Sequence, residues 1–186
     1  MKFSEMKYER PDLAAVKDEL HALTERLKAA RDYAEAREAF LAHEAAYIHM
    51  ETQATLASVR HTIDTRDEFY DAEETFWNAA TPELDAYEDA WKGTMLESPF
   101  RKEFAAEYGD LMFVNAEIAR KAFSPEIIPE SQQENDLSQA YSKLIASAQI
   151  PFEGGVYTLS QLSPFKNDPD DARRLAAWQA EGAWYK

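Results

Sequence analysis

Four histidines are the first residues whose chemistry needs testing: His21, His43, His49 and His61. A zinc peptidase helix carries H-E-x-x-H, because two imidazoles four apart share a face and the glutamate beside them activates water. The nearest string is His43-Glu44-Ala45-Ala46-Tyr47, in which Tyr47 stands where the second ligand would be. A di-iron bundle needs paired E-x-x-H motifs from facing helices, and no histidine here has a glutamate three positions before it. There is no cysteine, so no thiolate ligand, thiol nucleophile or disulfide is available. No G-x-S-x-G elbow, P-loop or dinucleotide fingerprint is present. Acid pairs are abundant, but in so acidic a sequence they specify nothing.

The densest polar rim lies within residues 55–70. Arg60 and Asp64 are four apart and can pair on one helix face, with His61, Arg66, Asp67, Tyr70 and Asp71 close by. Leu56, Val59, Ile63 and Tyr70 fall at helical spacing and are expected to point into a core. Thr65-x-x-Glu68 reads as a capping box, so one helix is expected to end near Thr62 and another to begin at Arg66. A buried edge beside a charged rim suits a helix lining a cleft; a solvated charged face is the plainer alternative.

The elements that hold this rim read as helices. After an extended lead-in over residues 1–10, Pro11 is placed as a first helical residue. Leu13, Val16, Leu20, Leu23 and Leu27 then mark an amphipathic helix of about four to five turns. From Tyr33 to Ile63 there is no glycine or proline, which predicts one long helix. Phe69, Phe76 and Trp77 continue a stripe, which Thr81-Pro82 is expected to stop or kink. Ser98-Pro99 predicts a fresh start, Gly109 a terminator, and Leu111, Val114 and Ile118, with Phe113 as a further candidate, the apolar residues that drive the next helix. Ser124-Pro125 restarts the chain, Pro129 breaks it, and Leu137, Tyr141, Leu144, Ile145 and Ala148 form another face. Gly154-Gly155 suits a tight hairpin over 149–159. Asp168-Pro169 predicts the start of a last helix through Leu175 and Trp178, which reaches Trp184-Tyr185-Lys186 without a terminator. The fold class is therefore all-α with one small β-hairpin, arranged as a single helical region over 1–186. The aromatic residues read as core rather than as a cofactor box.

Charge narrows the partners. With 35 Asp and Glu against 20 Lys and Arg, the net charge is −15, which repels phosphate backbones and anionic lipid. Nucleic acid and membrane partners are thereby disfavoured. Neither a secretory leader nor an apolar run of spanning length is found, and the expected location is cytoplasmic.

Several strings also resemble one family. Residues 55–71, Leu96-Glu97-Ser98-Pro99-Phe100-Arg101, Phe123-Ser124-Pro125-Glu126-Ile127-Ile128 and the run from Glu134 to Ala148 are similar, in the same order, to oligoendopeptidase F-type members of the M3 (thimet oligopeptidase-like) metallopeptidases. The opening Met1-Lys2-Phe3-Ser4-Glu5-Met6 and Leu159 to Phe165 match as well. The resemblance implies a zinc endopeptidase that trims short peptides inside an enclosed helical channel. The family's H-E-x-G-H helix and downstream glutamate lie beyond the matched region, so no catalytic or zinc residue carries over. The expectation is thus an N-terminal portion, inactive alone, whose partners are the catalytic domain and peptide substrates. Arg60, His61, Asp64, Arg66 and Tyr70 become candidates for lining the channel or meeting that domain. The final helix is expected to expose Trp178 and Trp184, which leaves self-association there as a further expectation. A free-standing acidic interaction module is the competing reading.

Overall fold

The computed structural model describes residues 2–186; Met1, part of the opening string, lies outside the described residues. Among these are eight α-helices and one two-stranded sheet, as the hydrophobic periodicity predicts. The chain divides into two compact units, Met1–Asp136 and Leu137–Lys186.

The first unit is built on three long helices. In α1 (Leu13–Lys28) the Asp12 carboxylate caps the start by accepting from the Ala14 and Ala15 amides. Pro11 thus precedes the cap and is not the first helical residue. Helix α2 (Tyr33–Ile63) runs 31 residues behind its Asp32 cap, as expected of a stretch without a breaker. Helix α3 spans Glu68–Glu97. Its cap is Asp67, which accepts from Phe69 and Tyr70 amides. The Thr65 box is therefore not used: an aspartate two residues later reaches the same orphan donors.

Side-chain pairs set the helix directions. Arg26 at the end of α1 meets Glu38 near the start of α2, and His61 at the end of α2 meets Asp71 at the start of α3. The three helices form an up-down-up bundle. Leu27, Ala36, Ala39, Phe40, Trp91 and Met95 fill one end; Leu20, Met50, Ala57, Trp77 and Leu84 fill the other. Each large side chain buried this way contributes about 1.5–3 kcal/mol.

Pro82 does not interrupt α3, against expectation. A helical proline lacks the N–H that would bond the carbonyl four residues back. Here that carbonyl, on Asn78, accepts from Asn135 Nδ2 at 3.1 Å, and the Ala79 carbonyl accepts from Gln132 Nε2 at 2.7 Å. Both donors sit on α6 (Ile128–Ala146). The missing backbone donor is replaced from another helix, and α3 continues. Pro129 likewise begins α6 instead of breaking it, since an early helical position needs no N–H partner.

Helices α4 (Arg101–Tyr108) and α5 (Leu111–Ala122) also belong to this unit. Gly109 ends α4 at φ 90°, where a side chain would be strained. In α5 only Phe113 of the expected residues turns inward. Phe113 and Ala116 are buried while Leu111, Val114 and Ile118 are exposed, Leu111 by 67%. This helix is apolar on two sides, and spacing alone cannot say which turns inward. Phe113 joins Phe104 and Met95 in the core.

In the second unit, β1 (Ile150–Phe152) pairs antiparallel with β2 (Gly155–Tyr157), Phe152 opposite Gly155. The two-residue turn is Glu153-Gly154, both at positive φ; Gly155 has moved into the strand. Helix α7 (Leu159–Leu162) follows. Helix α8 (Asp171–Trp184) is capped by Asp170, two residues beyond the expected Asp168. Ile150, Phe152, Leu162 and Ala177 form the core, with Trp184 packed against it. Trp178 is exposed. The apolar face on α6 exists, but Leu137, Tyr141 and Leu144 are exposed. Among the described residues no helix is long and apolar enough to cross a membrane.

Candidate functional site

The five rim residues do not converge on one site. Arg60 does not pair with Asp64. Its guanidinium donates to the Tyr70 hydroxyl at 2.6 Å and to the Met6 carbonyl, and lies over the Tyr70 ring. His61 is buried, with Nε2 3.2 Å from Asp71 Oδ1. Asp64 takes Arg66 in two side-chain hydrogen bonds at the α2–α3 turn, where both face solvent. This holds the Asp64 carboxyl below its ordinary range, chiefly through the Arg66 guanidinium. Val59 and Ile63 are exposed, Ile63 by 73%; only Leu56 of that stripe is fully buried. The α2 face toward α1 and α3 is already filled by Leu56, Ala57 and His61.

Arg60 and Tyr70 belong to a latch that ties the lead-in to the bundle. The Tyr8 hydroxyl donates to Glu73 and accepts from Trp77 Nε1. Arg10 grips the same buried Glu73 with two hydrogen bonds, 2.8 and 2.7 Å. The Arg10 guanidinium holds the Glu73 carboxyl below its usual range against burial, with Tyr8 adding to the effect. Burial, then Glu73, pushes the Tyr8 phenol up to about 12. The Glu9 amide donates to Gln53.

A more chemically loaded surface lies along α2, α3 and α5. One cleft of about 530 Å³ is lined by Glu44, Tyr47, Ile48, Glu51, Thr52, Thr55 and Leu56 of α2 together with Phe3 and Met6 of the lead-in. The Thr52 hydroxyl donates to the Ile48 carbonyl at 2.7 Å, so it makes no demand on the cleft. Glu44 also lines a second cavity of about 270 Å³, walled by Phe40, Glu88, Trp91, Met95 and Phe113. Lys92 and Ala119 join this to a third of about 260 Å³ that contains Asp85 and Asp89.

Beneath the second cavity sits His43. Its ring stacks on Trp91 at 3.8 Å between centroids, the two planes nearly parallel. Nε2 lies 3.0 Å from Glu88 Oε1, a close imidazole–carboxylate contact between two buried side chains. Burial pulls the His43 pKa down, but the Glu44 and Glu88 carboxylates outweigh it and the net shift is upward. Burial, reinforced by Glu88 and Glu51 and opposed by Lys92, pushes the Asp85 carboxyl up.

Zinc, which the family resemblance implies, does not fit these residues. Among the described residues no three His, Asp or Glu side chains converge to hold a metal ion, and Tyr47 points its hydroxyl to Glu51 at 2.9 Å. The cleft itself was missed in the sequence because its carboxylates come from two helices; the only local signals were Glu44 beside His43 and Glu88 three before Trp91.

Comparison with known proteins gives a consistent answer. Residues 3–123 match the family model described as the Peptidase M3 N-terminal domain. Among solved structures, one assigned as an oligoendopeptidase F is 38% identical with a TM-score of 0.95, covering 100% of this chain and 33% of its own. A PZ peptidase A with an inhibitor is 35% identical with a TM-score of 0.95, covering 99% and 33%. An assigned oligoendopeptidase F from Bacillus anthracis str. Ames is 33% identical with a TM-score of 0.94, covering 99% and 34%. The chain spans about a third of the length of these structures. No curated protein sequence matches it.

Proposed function

This chain belongs to the M3 peptidase family through the family's N-terminal domain, and from that premise we propose that it is the N-terminal wall of a zinc-dependent oligoendopeptidase for short peptides, with no hydrolytic activity of its own. The observation that supports the reading is the likeness along the whole chain to peptidases three times as long, while among the described residues no three His, Asp or Glu side chains converge as metal donors. The zinc ligands and catalytic glutamate come, in this reading, from the part of the peptidase that those longer chains contain. A cytoplasmic setting goes with it.

The rim residues take two roles. Asp64 and Arg66, exposed at the α2–α3 turn, meet the catalytic portion or the channel. Arg60, His61 and Tyr70 support that turn from behind, through the lead-in and Asp71. The exposed apolar faces of α5 and α6 are further surfaces for the catalytic portion. Self-association through α8 is opposed by the net charge of −15, which makes two copies repel.

The test is hydrolysis of an internally quenched peptide with added zinc. The chain alone gives none; joined to the remaining two thirds of an oligoendopeptidase F relative, it gives chelator-sensitive cleavage. Robust chelator-sensitive cleavage by the chain alone, or an inactive but folded joined protein, overturns the proposal.

A further inference from the structure

Among the described residues, the lead-in over 2–10 keeps its backbone–backbone hydrogen bonds to itself, from the Glu5 amide to the Lys2 carbonyl and from the Met6 amide to the Phe3 carbonyl. Its attachment to the bundle uses side chains, and only Met6 and Tyr8 are partly buried. Two pins hold it. One is Arg60, which donates to the Met6 carbonyl. The other is Glu73, 4% exposed, which accepts from the Tyr8 hydroxyl and twice from Arg10. Between Tyr8 and Arg10, the Glu9 amide donates to Gln53 at 2.9 Å. The Tyr8 ring stands edge-on to Phe69 and Tyr70, and the Arg10 guanidinium lies over Phe76. A segment this short has no helix or strand to carry order along it, so loss of the Glu73 pin frees Tyr8, Glu9 and Arg10 together. Nor does release strand a buried charge: as Tyr8 and Arg10 leave the Glu73 carboxylate, water takes the places of their donors. Phe3 and Met6, the lead-in side of the 530 Å³ cleft on α2, go with them.

We propose that residues 2–10 form a strap that undocks and redocks as one unit while the helical bundle stays folded, with Glu73 as its main pin, and that each undocking opens the α2 cleft by withdrawing Phe3 and Met6. The inference does not depend on the peptidase reading. An opening of this kind lies below global unfolding in free energy, because few apolar contacts are given up. It also exposes little surface, so denaturant promotes it only weakly.

The experiment uses the intact 186-residue chain. A lysine-specific protease at low concentration cuts after Lys7, which lies between the two pins, and mass spectrometry follows the product; exchange of the Glu9 amide is read in parallel by NMR. Lys7 is cut well before Lys17 in α1 or Lys92 in α3, and its cleavage rises far less steeply with urea than unfolding followed by circular dichroism. Glu73→Gln raises Lys7 cleavage and Glu9 exchange by the same factor, at least about tenfold, because charge-assisted hydrogen bonds are lost. Tyr8→Phe leaves the Arg10–Glu73 pair in place and raises both by a smaller common factor, which carries the test if Glu73→Gln does not fold. Glu68→Gln makes the same charge change at an exposed position of α3 and leaves both rates unaltered. Lys7 cleavage that tracks global unfolding in urea, unequal factors in the two readouts, or an equal effect of Glu68→Gln and Glu73→Gln overturns the proposal.

Discussion

Replacing Asn135 by alanine removes the side-chain donor that makes Pro82 tolerable inside α3. The Asn78 carbonyl it serves belongs to a residue that is 9% exposed, so water reaches it poorly. Leaving a buried backbone acceptor short of a donor costs about 1–3 kcal/mol. In a chain of this length each kcal/mol lowers Tm by about 2–4 °C. The cause is testable by a double-mutant cycle with Pro82→Ala, which restores a backbone N–H four residues beyond the carbonyl. On its own Pro82→Ala recovers part of the roughly 3 kcal/mol that proline costs in a helix interior, less the packing lost from its buried ring. In that background Asn135→Ala then costs less than about 0.5 kcal/mol, giving a coupling energy of at least about 0.5 kcal/mol. Urea unfolding followed by far-UV circular dichroism reads all four corners of the cycle. An equal cost of Asn135→Ala with and without Pro82 refutes the reasoning, since Asn135 would then act through contacts unrelated to the missing hydrogen bond.

Two further outcomes concern ionisation. The Glu73 carboxyl is held low by Arg10, so its contribution to stability is complete above pH 4.5, its reference value, and is lost as pH falls through the lower folded value. Arg10→Ala costs about 1–3 kcal/mol at neutral pH, less than a fully buried pair because Arg10 is half exposed; the difference from the parent shrinks below pH 4.5 in acid-unfolding curves, and a constant difference contradicts it. His43 is shifted upward, so it stabilises the fold fully below pH 6.5 and loses that contribution as pH rises through its folded value. An NMR titration of the imidazole reads its midpoint above 6.5 in the parent and lower in Glu88→Gln; an unmoved midpoint denies the electrostatic contact.

The limits of the sequence are best seen at particular residues. Helix α2 was legible because thirty positions without a breaker leave few alternatives, and α1 because its leucines mark one side only. Pro82 was misread because its remedy, Asn135 and Gln132, lies some fifty residues away and no local pattern records it. At α5 two apolar stripes compete, and the choice of Phe113 over Leu111 depends on which neighbour has space. Arg60 had a correctly spaced partner in Asp64, but the Met6 carbonyl and Tyr70 hydroxyl won it by tertiary proximity. Of the rim, the sequence located the residues and not their partners. The cleft could not be read at all: Glu44 and Glu88 are unremarkable among 35 acids until α2 and α3 are packed antiparallel and bring them to one cavity.

The central claim is that this chain is the N-terminal wall of a peptidase whose hydrolytic groups lie in the part that its longer relatives contain. Cleavage of an internally quenched peptide, measured with zinc for the chain alone and for the chain joined to the remaining two thirds of an oligoendopeptidase F relative, tests it most directly. The account predicts chelator-sensitive cleavage by the joined protein and none by the chain alone. Chelator-sensitive cleavage by the chain alone, or a folded but inactive joined protein, contradicts it.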